Sequence, residues 1–118
     1  MISLVNFINN FKNDIIPSEN QDSCKKFFFK SIMHLMVSLE IASSSILDEK
    51  INYNKLKLSI PSSLGEESEL EHVLKQGIKK KFFIEKKAFK NNETYYKISK
   101  KFSLMITNWY LENKSKFN

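Results

Sequence analysis

Residues 64–99, LGEESELEHVLKQGIKKKFFIEKKAFKNNETYYKIS, decide the fold of this chain of 118 residues. In the first half of this stretch, apolar residues recur at the spacing of one helix face. These residues are Leu70, Val73, Leu74 and Ile78. From Phe82 onward the sequence becomes β-rich, and a polar turn at residues 90–92 separates two β-rich runs. The stretch therefore predicts a helix that is followed by a two-stranded hairpin.

The two ends of the predicted helix carry polar signals. Ser63 or Ser68 is expected to cap its first turn, and the run Lys79-Lys80-Lys81 places cations at its end, where the helix dipole favours them. Gly77 lies inside the helix, and a glycine at such a position weakens a helix by roughly 0.5–1 kcal/mol.

Helices are also predicted on both sides of this stretch. They cover residues 2–13, 25–47, 51–60 and 99–114. The second of them is apolar nearly all round, which predicts one long and buried central helix. The third is expected to be capped by Asn52 or Asn54, and the last by Ser99.

The charge is spread unevenly along the chain. Residues 1–60 carry seven Lys and six acidic residues, residues 61–74 carry four Glu and no Lys, and residues 75–118 carry twelve Lys and three Glu. The net charges are therefore +1, −4 and +9, which give the total of +6. All 19 cations are lysines, which meet phosphate as point charges and lack the planar fork of arginine. The basic C-terminal third favours a polyanionic partner.

The composition excludes several classes of site. Two glycines, Gly65 and Gly77, cannot form a glycine-rich phosphate loop, and one cysteine, Cys24, cannot form an intrachain disulfide. We expect a cytoplasmic protein without a signal peptide, a membrane span, a metal site or a cofactor. Because no nucleophile, base and orienting group can be assembled, we expect no enzymatic activity.

The order of the predicted elements indicates the fold class. It is mainly α with a small β-hairpin, a winged helix-turn-helix with N- and C-terminal dimerisation helices. A single domain is expected over residues 1–118, with the helix-turn-helix at 51–81 and the wing at 82–98. The dimerisation helices are expected at 1–16 and 99–116, because each carries an apolar stripe that one small domain does not cover.

Residues 64–99 resemble the recognition helix and wing of MarR-type regulators, with PadR-like proteins as an open alternative. The matching motifs are Val73-Leu74, Phe82-Phe83-Ile84-Glu85 and Tyr96-Lys97-Ile98-Ser99. The resemblance implies a homodimeric transcriptional regulator that binds double-stranded DNA. Three features depart from the family pattern. Glu66-Glu67-Ser68-Glu69 replaces a Ser-Arg-Ser-Thr-like run, Lys81 replaces the glycine that ends the helix, and the wing tip has Asn91 and Asn92 in place of glycine.

Two sets of residues are predicted to form the interaction surfaces. The residues expected to bind DNA are Ser62, Ser63, Ser68, His72, Lys75, Gln76, Lys79, Lys86, Lys87, Lys90, Asn91, Asn92 and Lys97. The expected dimer interface consists of Leu4, Phe7, Ile8, Phe11, Phe102, Ile106, Trp109 and Tyr110.

The acidic residues 66–71 leave a second interpretation open. Glutamates in the first helical turn complement the helix dipole, but they also oppose the approach of phosphate. The alternative is a winged-helix module that does not bind DNA by itself and captures a basic protein partner at residues 66–71. His34 is expected to be a packed core or interface histidine. His72 is expected on the outer face of the helix, at phosphate, at a base or in solvent.

Overall fold

A computed structural model describes residues 2–16 and 22–117 of the chain. Its helices are α1 (Ile2–Ile15), α2 (Ser23–Phe28), α3 (Ile32–Ile46), α4 (Tyr53–Ser59), α5 (Glu67–Lys79) and α6 (Lys100–Phe117). The strands β1 (Phe83–Lys87) and β2 (Thr94–Ile98) pair in antiparallel fashion between α5 and α6. The predicted mainly helical fold with a small hairpin is confirmed for this part of the chain.

The prediction of one long helix over residues 25–47 is wrong. The chain instead forms α2 and α3, with a break at residues 29–31. Asp22 caps α2, because its side chain accepts a hydrogen bond from the Cys24 amide, and Ser31 caps α3 by accepting the amide of His34 at 3.1 Å. A second cap within the predicted helix thus begins a separate helix, α3. Because apolar residues continue at helical spacing on both sides of the break, the pattern did not predict it.

The caps of the next two helices differ from each other. Asn52 caps α4, as predicted, through the hydrogen bond that its Oδ1 accepts from the Lys55 amide at 2.8 Å. The prediction that Ser63 or Ser68 caps α5 is wrong. Ser63 lies in a 3-10 turn over Ser62–Leu64 and Ser68 lies inside the helix, so the cap residue is Glu66, which makes no side-chain capping bond.

Five phenylalanines form the centre of the core. They are Phe27 and Phe28 of α2, Phe82 and Phe83 at the base of the hairpin, and Phe102 of α6. The ring of Phe102 is completely buried, and its centroid lies 5.4–6.2 Å from the centroids of the other four rings. Edge-on and tilted pairs at these distances are attractive beyond the area they bury. This cluster joins α2, the hairpin and α6.

Two backbone amides of β2 fix the hairpin to α3 and to the segment that follows it. Ile51, in the segment between α3 and α4, forms an isolated β-bridge with Tyr96, whose amide donates to the Ile51 carbonyl at 3.0 Å. The Ile98 amide donates to Ser45 Oγ of α3 at 3.1 Å. The bridge places Ile51 beside β2, as a third strand position of one residue. Because it consists of one pair, Ile51 with Tyr96, far apart in the chain, no local pattern predicts it.

The end of α5 adopts the conformation that usually takes glycine. Lys81 has φ 63°, the Lys81 amide donates to the Ile78 carbonyl, and the Phe82 amide donates to the Gly77 carbonyl. These two bonds form a Schellman motif, in which the residue after the cap is left-handed. A lysine therefore occupies the place of the expected glycine. The turn that directs the chain from α5 into β1 is kept by backbone hydrogen bonds.

Gly77 brings α5 and β1 into direct contact. A Cβ atom at this position would lie 2.2 Å from Cδ2 and 2.3 Å from Cε2 of Phe83, a ring that is almost completely buried. No real Cβ contact is this short, and the ring has no room to move within a packed core. The glycine therefore lowers the intrinsic stability of the helix but allows the hairpin to pack closely on α5.

We expect Gly77→Ala to destabilise the protein although alanine is the better helix former. The gain in propensity is about 1 kcal/mol, whereas overpacking of a core costs typically about 1–3 kcal/mol. The difference is a net decrease of up to about 2 kcal/mol in the free energy of unfolding, which should appear as a lower urea midpoint. Gly65→Ala is the control, because its Cβ would meet only the ends of the flexible Met33 and Glu69 side chains. A higher midpoint for Gly77→Ala would contradict the close approach of Phe83.

Candidate nucleic-acid interface

One face of α5 points away from the core and carries no acidic residue. The buried face consists of Leu70, Val73, Leu74 and Gly77. The opposite face, at about 100° per residue, consists of Ser68, His72, Lys75 and Lys79, and all four are exposed. We call these four residues the outer stripe. Its two lysines make it cationic even when the His72 ring is neutral.

Two glutamates beside the outer stripe are turned toward α4. The Tyr53 hydroxyl donates to Glu67 Oε1 at 2.9 Å and lies 3.1 Å from Glu71 Oε1. Lys57 Nζ lies 3.1 Å from the same Glu67 oxygen. The hydrogen bond from Lys57, followed by that from Tyr53, lowers the pKa of Glu67.

These surface bonds orient the two carboxylates and contribute little to stability. Exposed ion pairs such as Lys57 with Glu67 are worth little to the free energy of unfolding. They do orient both carboxylates toward α4 and away from the outer stripe. Glu67 and Glu71 therefore lie next to the outer stripe, but their carboxylates are directed away from it.

The turn between α4 and α5 presents small polar groups. Ser62 and Ser63 are exposed in the 3-10 turn, next to the start of α5. Leu56, Ile60 and Leu70 are buried below them and belong to the main core cluster. The two predicted serines of this turn thus lie at the surface near Ser68, at the N-terminal end of the outer stripe.

The tip of the hairpin is held by its own hydrogen bonds. The Ala88 amide donates to the Glu93 carbonyl at 2.8 Å, and the Asn92 amide donates to the Ala88 carbonyl at 2.9 Å. The Glu93 amide donates to Asn91 Oδ1 at 3.1 Å, and Asn92 is left-handed with φ 55°. The side-chain amide of Asn52, the cap of α4, donates to the Glu93 carboxylate. The wing tip is therefore closed and joined to the start of α4.

The predicted lysines of the hairpin fall into two groups. Lys86, Lys87 and Lys90 are exposed along β1 and at the tip. Lys97 is different, because it lies at the base of the hairpin, 30% exposed, with its Nζ 3.4 Å from Asp48 Oδ1. The structure therefore brings the first three to the outer part of the wing and keeps Lys97 apart from them.

Two further residues of the predicted DNA-binding set lie beside the outer stripe and at the hairpin tip. Gln76 is half-buried on the flank of α5 that faces away from α4. Asn91 is exposed, but its side chain is engaged within the tip, where its Oδ1 accepts the Glu93 amide and its Nδ2 lies 3.3 Å from Glu93 Oε2. Both residues border the surface formed by the outer stripe and the wing, and the centre of that surface is lysine-rich.

Sequence reasoning missed Phe89, which the structure places at the wing tip with its side chain completely exposed. The sequence signal was its position, an aromatic residue between Lys87 and Lys90 in a segment otherwise typical of a polar turn. Such a residue is normally assigned to the inner face of a strand. Here it follows the end of β1 and has no strand face to occupy.

The predicted dimer residues are divided between the chain's own packing and its surface. Phe11 and Trp109 pack against each other with ring centroids 6.2 Å apart, and Trp109 Nε1 donates to Asp14 Oδ2 at 3.0 Å. Phe7 and Ile106 are half-buried. Phe102 lies fully inside the core, so the prediction that it forms part of a dimer interface is wrong, because its side chain does not reach the surface. The exposed members are Leu4, Ile8 and Tyr110.

No protein-family model, curated protein or solved structure matches this chain. Within residues 2–16 and 22–117, no helix combines the length and the hydrophobicity that crossing a bilayer requires. In the same residues, no group of three or more His, Cys, Asp or Glu side chains is placed to hold a metal ion.

Two buried titratable groups, His34 and Cys24, belong to the interior of the protein. His34 is buried with its ring edge-on to Phe27 at 4.8 Å, and its Nδ1 lies 2.6 Å from the Ser31 hydroxyl. Burial, followed by repulsion from Lys30, His72 and Lys80, lowers the pKa of His34 to about 4. Burial also raises the pKa of Cys24 to about 11, which keeps this thiol protonated and unreactive near neutral pH. His34 is thus a packed core histidine, as predicted.

We expect His34 to reduce the stability of the protein in mild acid. The unfolded chain protonates this imidazole near pH 6.5 and the folded chain only near pH 4, so stability falls as pH decreases between these values. Between about pH 7 and pH 5 the free energy of unfolding falls by about 2 kcal/mol, above the range in which ordinary carboxylates protonate. Urea unfolding at both pH values measures it.

The matched variants are His34→Gln and His72→Gln. The first keeps an acceptor for Ser31 and removes the titrating group, so its stability should change much less over this pH interval. The second removes an exposed histidine and should keep most of the pH dependence of the parent, because burial contributes more than His72 to the lowered pKa of His34. An unchanged pH dependence in His34→Gln would show that another group causes it.

Proposed function

We propose that this chain is a winged-helix protein that binds double-stranded DNA and acts as a homodimeric transcriptional regulator of the MarR-like kind. The observation that carries this proposal is the outer stripe of α5, which is free of acidic residues and directed away from the core beside a lysine-rich hairpin. α5 would lie in the major groove, and the hairpin would act as the wing on the adjacent phosphate backbone.

The order and the packing of the elements support this proposal. α3, the Ile51 bridge, α4, α5 and the β1–β2 hairpin follow one another in the order expected of a winged helix. The hairpin packs on α5 through Gly77 and Phe83, and its tip is joined to the start of α4 through Asn52. The outer stripe and the wing would therefore meet DNA as one rigid surface.

The size and charge of the surface fit a duplex. α5 has 13 residues and is about 20 Å long, and the major groove, about 12 Å wide, admits one helix. The cations are Lys75 and Lys79 of the outer stripe, together with Lys86, Lys87 and Lys90 of the wing. Because all of them are lysines, phosphate binding would supply most of the affinity, and Ser68, His72 and Gln76 would be the groups available to base edges.

We expect DNA binding to depend steeply on salt and to require both lysine groups. In separate double variants, Lys75→Ala with Lys79→Ala and Lys87→Ala with Lys90→Ala should weaken binding to random duplexes. Each should also make the plot of log K against log salt concentration shallower, by about 0.9 for every phosphate that the variant no longer neutralises. Fluorescence anisotropy across a salt series measures both quantities.

The control removes the same charge at a distance from the proposed interface. Lys12 of α1 and Lys26 of α2 are exposed and belong to neither α5 nor the hairpin, so their joint replacement by alanine should leave the salt slope unchanged. An equal effect of the control variant would mean that only net charge matters. No binding by the parent protein at low salt would refute the proposal.

A second candidate function is a winged-helix module that binds a basic protein. It is favoured by the exposed carboxylates of Glu66 and Glu69 at the start of α5. Their replacement by glutamine separates the two functions. It should tighten binding to DNA if phosphate approaches this end of α5, and it should abolish capture of a basic partner if this end is a protein-binding surface.

We further propose that α1 and α6 form the dimer interface. Leu4, Val5 and Ile8 of α1 are exposed, as are Leu104, Tyr110 and Leu111 of α6. The packing of Phe11 on Trp109 covers part of each helix and leaves these residues on the outside. A symmetric pair of chains would bury the same patch twice.

We expect a dimer by light scattering at tens of micromolar protein, and a monomer for Leu4→Lys combined with Ile8→Lys. Charges at these two positions would be buried without partners in the interface. Ile46→Lys is the control, because Ile46 is also apolar and is 75% exposed but lies at the end of α3. A monomeric parent protein would contradict the dimer and leave DNA binding to be judged by the salt series.

A further inference from the structure

Phe89 is the most exposed large apolar side chain in the part of the chain that the structure describes. It lies at the wing tip, directly after Ala88 and before Lys90, and none of the described residues covers its ring. The other exposed large apolar side chains of the described residues lie within helices, in β1 or directly at the end of a helix. This ring projects from the end of a hairpin.

The backbone below the ring is ordered by hydrogen bonds. Two backbone bonds join Ala88 to Asn92 and to Glu93, and Asn91 accepts the Glu93 amide through its side chain. The left-handed Asn92 completes the turn. The tip therefore holds the ring outward before any partner arrives, and binding would order few additional backbone torsions.

The surroundings of the ring indicate the chemistry of the partner. Lys86, Lys87 and Lys90 are exposed and lie within three residues of it in the chain, and the tip adds Asn91, Asn92 and the exposed carboxylate of Glu93, to which Asn52 and Asn91 donate. A protein partner or a membrane would bury only one apolar ring within a cationic and polar surface. Because interfacial binding grows with the buried apolar area, a single ring contributes little to either kind of binding. An opened base step of duplex DNA matches this pattern, since opening it uncovers the flat apolar faces of two bases between flanking phosphate anions.

We propose that Phe89 is a wedge that enters the minor groove and inserts its ring into a base step of duplex DNA, with the wing lysines on the flanking phosphates. This inference rests on the proposed DNA-binding function. The minor groove, about 6 Å wide, admits a single ring but no helix. Apolar side chains that enter this groove unstack a base step and bend the duplex.

The wedge would give the protein a form of selectivity that needs no base-edge hydrogen bonds. Steps such as TA unstack at low cost, so duplexes rich in these steps would bind more tightly than stiff duplexes of the same charge. This suits a chain in which all 19 cations are lysines, because lysine lacks the planar, rigid guanidinium fork of arginine.

The test uses an alternating A–T duplex with 2-aminopurine in place of some adenines, because its fluorescence rises when the base is unstacked. We expect the parent protein to raise this fluorescence and Phe89→Ala to lose most of the increase. Affinity of the alanine variant should fall about tenfold, in line with the removal of one base–aromatic stack. Its salt slope should stay unchanged, because no charge is removed.

Three variants complete the design. Phe89→Leu keeps an apolar wedge and should retain most of the fluorescence change. Lys87→Ala combined with Lys90→Ala should make the salt slope shallower, which Phe89→Ala does not do. Ile46→Ala removes an exposed apolar side chain outside the proposed interface and should behave as the parent. Since Phe89 is completely exposed, the alanine variant should have the circular dichroism and the urea midpoint of the parent.

The possible failures are distinguishable. Normal DNA binding by Phe89→Ala, with the fluorescence increase intact, would overturn the wedge and leave the proposed function standing. No binding of the duplex by the parent protein would overturn both. Loss of binding to phosphatidylglycerol vesicles in Phe89→Ala, with DNA binding unchanged, would assign the ring to a membrane surface and overturn the wedge.

Discussion

The contact between Gly77 and the ring of Phe83 fixes the position of the hairpin on α5. Phe83 is also one of the five phenylalanines of the core cluster, so the same ring joins α5 to α2 and α6. The direction in which the wing leaves the body thus follows from one close approach that only glycine permits. The proposed function depends on this constraint, since the outer stripe and the wing can meet one duplex only if their separation is fixed.

Those parts of the fold that depend on local patterns were predictable from the sequence. The α5 stripe, the hairpin and the caps Asn52 and Ser99 are set by residues close together in the chain. The break between α2 and α3 was not predictable in this way. Its apolar residues continue the helical spacing on both sides of Ser31, and the sequence offers serines at many positions that do not cap a helix.

In the candidate site, too, the features set by local sequence were predictable and those set by long-range contacts were not. The exposure of Lys75, Lys79 and the tip lysines follows from periodicity and turn chemistry. The orientation of Glu67 and Glu71 depends on how α4 crosses α5. The contact of Lys97 with Asp48, which keeps it apart from the outer lysines of the wing, joins residues that are 49 positions apart in the chain. Phe89 was missed because sequence patterns place aromatic residues inside, and only the hydrogen-bonded tip shows that this ring has no interior to enter.

The distribution of charge on α5 has a consequence for selectivity within the proposed function. Glu66 and Glu69 remain exposed at one end of a helix whose outer stripe is cationic at the other, where Lys75 and Lys79 lie. A duplex that approaches in the wrong register would bring phosphates to the carboxylates, and like charges disfavour such encounters. The acids would therefore reject wrong geometries, while the lysines and the wing tip favour the right one. Selectivity by repulsion of this kind suits an interface that lacks arginine, because it discriminates without reading base edges.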